Sequence, residues 1–224
     1  MAITTQPGAS SSDFTTLLGT EVADTFTLTD NNLYVSALEG ADTVTAADTL
    51  TNIKVIGADD NDTVTFNGSL EKGFVRLDKG NDTLTISKEF DGEVYGGQGV
   101  DDLNFLRTAS NATIKGDNGN DTIDFSEGLT SSVVNGKTDD DTITVVGTTS
   151  SSSIYGGKQN DTIGVAGISS STVSADKGND QINLNAGALS NALIYGKDGD
   201  DDINISSTSS ENTTIYGGAG KDTI

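Results

Sequence analysis

Apolar residues recur along the chain in short runs that alternate with Thr, Asn or Asp. The pattern is organised around one Asp per unit. An aliphatic residue stands seven positions before this Asp, an apolar residue stands two positions after it, and a further one usually stands four after it. We call these residues the anchor Asps and number each turn from its anchor (−7, +2, +4). The anchors are Asp24, Asp42, Asp62, Asp82, Asp101, Asp121, Asp141, Asp161, Asp180, Asp201 and Asp222.

The anchors follow one another at intervals of 18 to 21 residues, which is typical of a protein built from stacked repeats. Period-two alternation predicts short strands with one face inward, and Val, Ile and Thr favour strands. Each unit therefore reads as a strand, a turn rich in Gly and Asp, a second strand, and a looser closing turn. We predict an all-β fold, a right-handed parallel β-solenoid of about eleven coils of roughly 20 residues.

The repeat divides the chain into two segments. Residues 1–16 fit it poorly and contain the only proline, Pro7, which predicts an N-terminal cap or docking segment. Residues 17–224 are predicted as solenoid. Because the chain stops midway through a coil where a polar cap is expected, we expect the repeats to continue in a longer chain or to stack on another copy.

Composition narrows the possible functions. A content of 33% apolar residues suits the thin core of a solenoid, and the net charge of −22 argues against binding nucleic acid. The chain has no His and no Cys, which excludes zinc, iron–sulfur and thiol chemistry. No apolar run is long enough to insert into a membrane, and the start of the chain does not resemble a Sec-type signal peptide. Since P-loop, G-x-S-x-G and HExxH motifs are also missing, we expect no enzyme activity.

The turn before the anchor carries the most specific motif. It reads Gly-Gly-Gln-Gly-Val-Asp over 96–101 and Gly-Gly-Ala-Gly-Lys-Asp over 217–222, with partial matches over 116–121, 156–161 and 196–201. This pattern resembles the calcium-binding nonapeptide of the repeats-in-toxin (RTX) family, G-G-x-G-x-D-x-(apolar)-x. The resemblance implies a β-roll with calcium ions between the turns of neighbouring coils. It also implies type I secretion, as in surface-layer proteins and adhesins.

The chemistry of such a turn suits calcium, which takes six to eight oxygen ligands. Glycines let backbone carbonyls turn toward one point, and the Asp supplies charge. Because this chain has one Asp turn per coil, where the family has two, we expect one row of ions along one edge. The metal site that the resemblance implies consists of Asp82, Asp101, Asp121, Asp141, Asp161, Asp180, Asp201, Asp222, Gly97, Gly99, Gly119, Gly157, Gly199, Gly218 and Gly220.

Two questions about this row stay open at the level of sequence. The first four turns depart from the glycine pattern, for example over 38–42 and 58–62, which leaves their sites in question. The alternative to calcium is a metal-free ladder of stacked Asn and Asp side chains. The residues directly before the anchors that suit such a ladder are Asn61, Asn81, Asn120, Asn160 and Asn179.

The sequence therefore predicts an extracellular, calcium-binding structural protein of a bacterial cell surface, such as a surface-layer, sheath or large adhesin subunit. Its expected partners are calcium, further copies or a continuation of the chain, and cell-surface components. One alternative is the calcium-binding β-roll of a secreted protease, lipase or epimerase. Another is a viral fibre.

Overall fold

The structure, a computed structural model, describes residues 14–185 and 187–224 and contains only strands and turns in that range. Because the described residues begin at 14, most of the segment predicted over residues 1–16 lies outside them. In chain order the strands are β1 Thr15–Leu18, β2 Thr25–Leu28, β3 Leu33–Glu39, β4 Thr43–Ala46, β5 Leu50–Thr51, β6 Ile53–Asp59, β7 Thr63–Phe66, β8 Leu70–Lys79, β9 Thr83–Ile86, β10 Phe90–Gln98, β11 Asp102–Phe105, β12 Ala109–Ser110, β13 Thr113–Asn118, β14 Thr122–Phe125, β15 Leu129–Thr130, β16 Val133–Thr138, β17 Thr142–Ser150, β18 Ser153–Lys158, β19 Thr162–Ser169, β20 Thr172–Lys177, β21 Gln181–Asn185, β22 Ala188–Ser190, β23 Leu193–Asp198, β24 Asp202–Ser206, β25 Ser209–Glu211 and β26 Thr214–Ala219.

All of the described strand pairs are parallel, and each strand pairs with the equivalent strand of the next coil. The registers follow the repeat: Val94 lies beside Ile114 in the strand before the turn, and Leu103 lies beside Ile123 in the strand after it. The predicted all-β parallel solenoid is confirmed, with about ten turns. The eleventh anchor is followed only by an isolated bridge between Asp202 and Thr223.

A third ladder of strands runs along the closing side, where the sequence predicts only a loose turn. It is formed by β5, β12, β15, β22 and β25 and by parts of β8, β10, β17 and β19. These stretches are two or three residues long, too short to show an alternating pattern. All but β25, whose residues are exposed, direct one side chain into the interior, and Leu70 and Leu129 are fully buried there.

The core is a set of columns in which equivalent side chains stack from coil to coil. The column at position +4 includes Phe66, Ile86, Phe105 and Phe125, and Phe90 of the closing ladder packs beside it; these side chains are at most 2% exposed. The rings of Phe105 and Phe125 are 4.8 Å apart and nearly parallel, and Phe90 lies 5.5 Å from Phe105. Each coil therefore completes its burial only through its neighbours, as in other solenoids.

The closing edge also holds buried serines in a hydrogen-bonded column. The Ser132 amide donates to Ser152 Oγ over 3.0 Å, and the Ser152 amide donates to Ser171 Oγ over 3.0 Å. Each hydroxyl donates in turn to a backbone carbonyl two residues earlier, over 2.8 Å. These side chains are neutral and have partners, so this part of the edge stacks without added charge.

Within the described ranges, no helix is long and apolar enough to cross a membrane.

Replacing Phe105 by Ala should lower the free energy of unfolding by about 3–5 kcal/mol, because the ring leaves a cavity between two other rings. Urea denaturation in excess calcium measures the change. Val146→Ala is the matched control, since Val146 is 62% exposed and its truncation should change little. Equal losses in both variants would contradict the role of the Phe column.

Candidate metal centre

The Asp turns from Asp42 to Asp222 share one backbone shape, with positive φ at positions −4 and −2. In the turn before Asp141, these residues are Lys137 at 93° and Asp139 at 79°. A non-glycine residue in the left-handed region costs about 1–2 kcal/mol, so contacts between coils must impose this shape. The predicted glycines occupy these same two positions, with φ between 120° and 143°: Gly97, Gly157 and Gly218 at −4, and Gly99, Gly119, Gly199 and Gly220 at −2.

The early turns share this conformation although they lack most of the glycines. Leu38 and Gly40 have φ of 75° and 104°, and Ala58 and Asp60 have φ of 88° and 76°. These turns therefore keep the same shape without the glycines, and their backbone is more strained. Asp42 and Asp62, which the predicted site omits, occupy the same place as the later anchors.

The anchor carboxylates point into the solenoid and form a continuous column. From Asp42 to Asp201 the anchors are 1–3% exposed. In each, Oδ1 accepts the backbone amide of the preceding anchor: the Asp101 amide donates to Asp121 Oδ1 over 2.9 Å, and the Asp121 amide donates to Asp141 Oδ1 over 2.9 Å. One oxygen of every carboxylate is thus used to join two coils.

The second carboxylate oxygen has no hydrogen-bond partner in nine successive coils. It is buried in each of them, and burying an ionised oxygen without a partner is strongly unfavourable. The atoms are the Oδ2 oxygens of Asp42, Asp62, Asp82, Asp101, Asp121, Asp141, Asp161, Asp180 and Asp201. A column of unpartnered anionic oxygens is the feature that a row of cations would neutralise.

The two end anchors differ from the rest. Asp24 Oδ2 accepts the Thr20 amide over 2.6 Å and the Thr20 hydroxyl over 2.8 Å. Asp222 is partly exposed, and its Oδ1 accepts the Asp201 amide over 3.2 Å, the longest bond of the column. The unpartnered column is therefore a property of the interior coils.

Backbone oxygens approach the same space from the neighbouring coil. A Cβ added to Gly96, at position −5, would lie 2.5 Å from Asp101 Oδ2 and 2.5 Å from Gly116 O of the next coil. A carboxylate oxygen and a carbonyl oxygen of adjacent coils therefore converge beside Gly96, and oxygens are the ligands that calcium takes. In the described residues, no three acidic side chains form a metal-binding group. A bound ion would thus take its remaining oxygens from the backbone.

The predicted Asn and Asp ladder is also present, as a separate column one residue earlier. Asn81 Oδ1 accepts the Val100 amide over 2.9 Å, and Asn160 Oδ1 accepts the Asn179 amide over 2.8 Å. In this outer column the later coil donates, whereas in the anchor column the earlier coil donates. The outer ladder leaves Oδ2 of the anchors unpartnered, so the two hypotheses from sequence describe different atoms and both columns coexist.

Burial raises the pKa of the anchor carboxyls in the metal-free chain, with neighbouring carboxylates adding to the effect. The pKa is raised to about 6 for Asp101 and Asp180 and to about 8 for Asp141. For Asp62, Asp82, Asp121 and Asp161 it is raised to about 7. In each case the amide bond from the preceding coil opposes the rise. Without metal, the interior of the row therefore holds protons near neutral pH.

Part of the chain matches the family described as the RTX calcium-binding nonapeptide repeat. Four copies match, over residues 108–128, 135–164, 165–188 and 207–224, which together make up less than half of the chain. These four segments carry RTX calcium-binding repeats. Calcium is accordingly the ion of these repeats, and the RTX resemblance of the Asp turns is confirmed.

Among solved structures, the chain is similar to a hyperactive, Ca2+-dependent, β-helical antifreeze protein from an Antarctic bacterium. The TM-score is 0.49 at 21% sequence identity, and the match covers 96% of this chain and 85% of that chain. No curated protein matches the sequence.

The structure places all eight predicted Asp ligands in one column and all seven predicted glycines in its turns. It adds Asp42 and Asp62 at the same column position and Gly96, Gly116, Gly136, Gly156 and Gly196 at position −5. A signal for the added glycines exists in the sequence, because glycine recurs five residues before most anchors. Which of these residues ligate the ions stays a prediction.

The pKa shifts predict that the metal-free solenoid is more stable in acid than in weak base. The pKa of these anchors in the folded chain lies above the ordinary value of 3.8. Their contribution to stability is therefore complete at or below pH 3.8 and is lost as the pH rises toward 7–8. Thermal melting in calcium-free buffer should give a higher Tm at pH 5 than at pH 8. Saturating calcium should remove this dependence, because calcium binds the ionised form. A metal-free Tm that rises with pH would contradict the prediction.

At one coil, Asp141→Asn should separate the effect of the buried charge from the effect of losing a calcium ligand. An amide in place of the carboxylate removes a buried charge, so the metal-free Tm at pH 8 should rise or stay unchanged. The stabilisation by calcium should shrink because one ligand is lost. Asp124→Asn is the control: its side chain lies on the outer face of β14, half-buried, and the response to calcium should persist. Identical calcium titrations for Asp141→Asn and the unmodified chain would count against Asp141 as a ligand.

Proposed function

We propose that this protein is a structural rod of the bacterial cell surface that calcium stiffens along one edge. The observation that carries the proposal is the column of nine unpartnered, buried Oδ2 atoms. Such a column makes the interior of the rod depend on cations, and it runs along the rod instead of forming one local site. A scaffold uses calcium in this distributed way.

The electrostatics support an extracellular location. Outside the cell calcium is plentiful, and ions that bind only the folded state stabilise it by mass action. Inside the cell, where free calcium is scarce, a net charge of −22 opposes compaction and keeps the chain ready for export. RTX repeat proteins are typically secreted, which agrees with this location and with type I secretion.

A structural role is favoured over a catalytic one because the chemistry present is repetitive. The carboxylates recur at one position per coil and serve the same contact each time. The alternative is that these repeats form the accessory calcium-binding β-roll of a secreted protease, lipase or epimerase. The reading frame that encodes the chain distinguishes the two. A catalytic motif elsewhere in it favours the enzyme, and a long run of further repeats favours the scaffold.

The expected partners are other copies or further coils and components of the cell surface. β26 pairs with β23 on one side only, among the described strands, so its other edge can accept a further coil. Self-association in a surface layer or sheath would supply that coil from a second copy. The solution mass measured by light scattering separates a monomeric rod from such an assembly and from a trimeric viral fibre.

Calcium removal is the direct test of the proposal. In millimolar calcium the chain should show a strong β-sheet signal in circular dichroism and a cooperative melt. Excess chelator at pH 8 should lower both the β-sheet signal and the Tm steeply. Returning calcium should restore them, whereas magnesium at equal concentration should restore less, since Mg2+ favours a small octahedral shell that retains water. Unchanged melting in chelator would refute the proposal.

A further inference from the structure

We propose that the residue at position −5 decides which gaps between neighbouring coils take calcium, and that the ion row of this chain is interrupted at three of them. The inference rests on the proposed calcium binding by the Asp turns, and it specifies which gaps between the turns hold an ion. The interruptions come from the three interior coils that carry a side chain at this position, those of Ala37, Leu77 and Ala175.

Position −5 opens onto the space between two coils. At Gly156, an added Cβ would lie 2.5 Å from Asp161 Oδ2 of its own coil and 2.7 Å from Ala175 O of the next. Gly136 shows the same arrangement, with Asp141 Oδ2 on one side and Gly156 O on the other. Glycine therefore lets one oxygen from each coil approach the same point, whereas a Cβ would force them apart, and an ion beside this point would take ligands from both coils.

Where position −5 carries a side chain, that side chain lies inside the solenoid. Ala37 is 1% exposed, and Leu77 and Ala175 are fully buried. Their carbon atoms offer no ligand to a cation. They also occupy the space toward which the carboxylate and carbonyl oxygens converge in the coils that have glycine at −5. Placing a cation against such apolar atoms also removes its hydration without replacement.

The hydrogen bonds of the anchor column give an independent indication. The amide bonds that end on Asp42, Asp82 and Asp180 measure 2.6, 2.7 and 2.7 Å. The seven that end on anchors with glycine at −5 measure 2.8 to 3.2 Å. The three coils with a side chain at −5 thus hold their carboxylate closest to the preceding coil.

The position −5 residue therefore sorts the gaps between Asp42 and Asp222 into two kinds. Three gaps are closed: those that follow Asp42, Asp82 and Asp180. Six gaps are open, each with glycine at −5: Gly57, Gly96, Gly116, Gly136, Gly156 and Gly196. Each open gap should take one calcium ion, which gives six ions per chain in this range. The gap before Asp42 differs, since Asp24 Oδ2 already accepts hydrogen bonds from Thr20.

Leu77→Gly tests the proposal by gain of an ion. Equilibrium dialysis against calcium, followed by elemental analysis, should count one ion more per chain than in the unmodified protein. A crystal structure of the calcium-loaded variant should place the added ion between Asp82 and Asp101. Because the substitution also removes a buried side chain, Leu77→Ala serves beside it: it truncates the side chain and retains Cβ, so the count should stay unchanged.

Gly136→Ala tests the proposal by loss of an ion, with one ion fewer expected between Asp141 and Asp161. Gly164→Ala is the matched control, because a Cβ at Gly164 would meet nothing closer than 3.9 Å, and its ion count should equal that of the unmodified chain. If Gly136→Ala fails to fold, the Leu77 pair still decides the matter.

The outcomes separate this inference from the proposed function. An unmodified chain that binds no calcium overturns both. An unmodified chain with an ion in every gap overturns the inference and leaves the calcium-stiffened rod intact, as does a Leu77→Gly count equal to that of Leu77→Ala. Six ions, with the expected gain and loss in the variants, support the inference.

Discussion

The structure depends on one arrangement, a column of buried Asp carboxylates that join successive coils with one oxygen and leave the other unpartnered. The joining bond fixes the spacing and register of the turns, since each anchor amide donates to the next anchor's Oδ1. The unpartnered oxygen makes the same column unfavourable at neutral pH without a cation or a proton. Stacking and calcium dependence therefore arise from a single side chain per coil.

The remaining contacts of the rod are arranged around this column and oppose its tendency to open. Apolar columns, including Phe105 and Phe125, bury the centre of each coil, and the serines of the closing edge stack through neutral hydrogen bonds. The two edges consequently differ in kind. The closing edge and the core need no ion, whereas the Asp edge carries the charge. The buried charge that a cation would neutralise thus lies on one side of the rod.

The sequence was sufficient to predict the solenoid, because alternation at −7, +2 and +4 and the steady spacing of the anchors persist through the chain. It also offered the outer ladder at Asn81 and Asn160, as an alternative to calcium. It could not show the third ladder, whose strands of two or three residues have no period. It also could not show that turns without glycine, such as those containing Leu38 or Ala58, adopt positive φ. That shape is set by hydrogen bonds to the next coil, which are invisible in a single unit.

The position of each carboxylate between two gaps has a consequence for how the ions act together. Oδ1 of an anchor borders the gap before it and Oδ2 borders the gap after it, so ions in adjacent gaps of the proposed row would share a carboxylate. In a solenoid, coupling of this kind passes only between adjacent coils. From Asp101 to Asp180 the gaps follow one another without a side chain at −5, whereas Leu77 and Ala175 bound this stretch on either side. The continuous stretch is therefore the part of the rod in which calcium can order several coils as one unit.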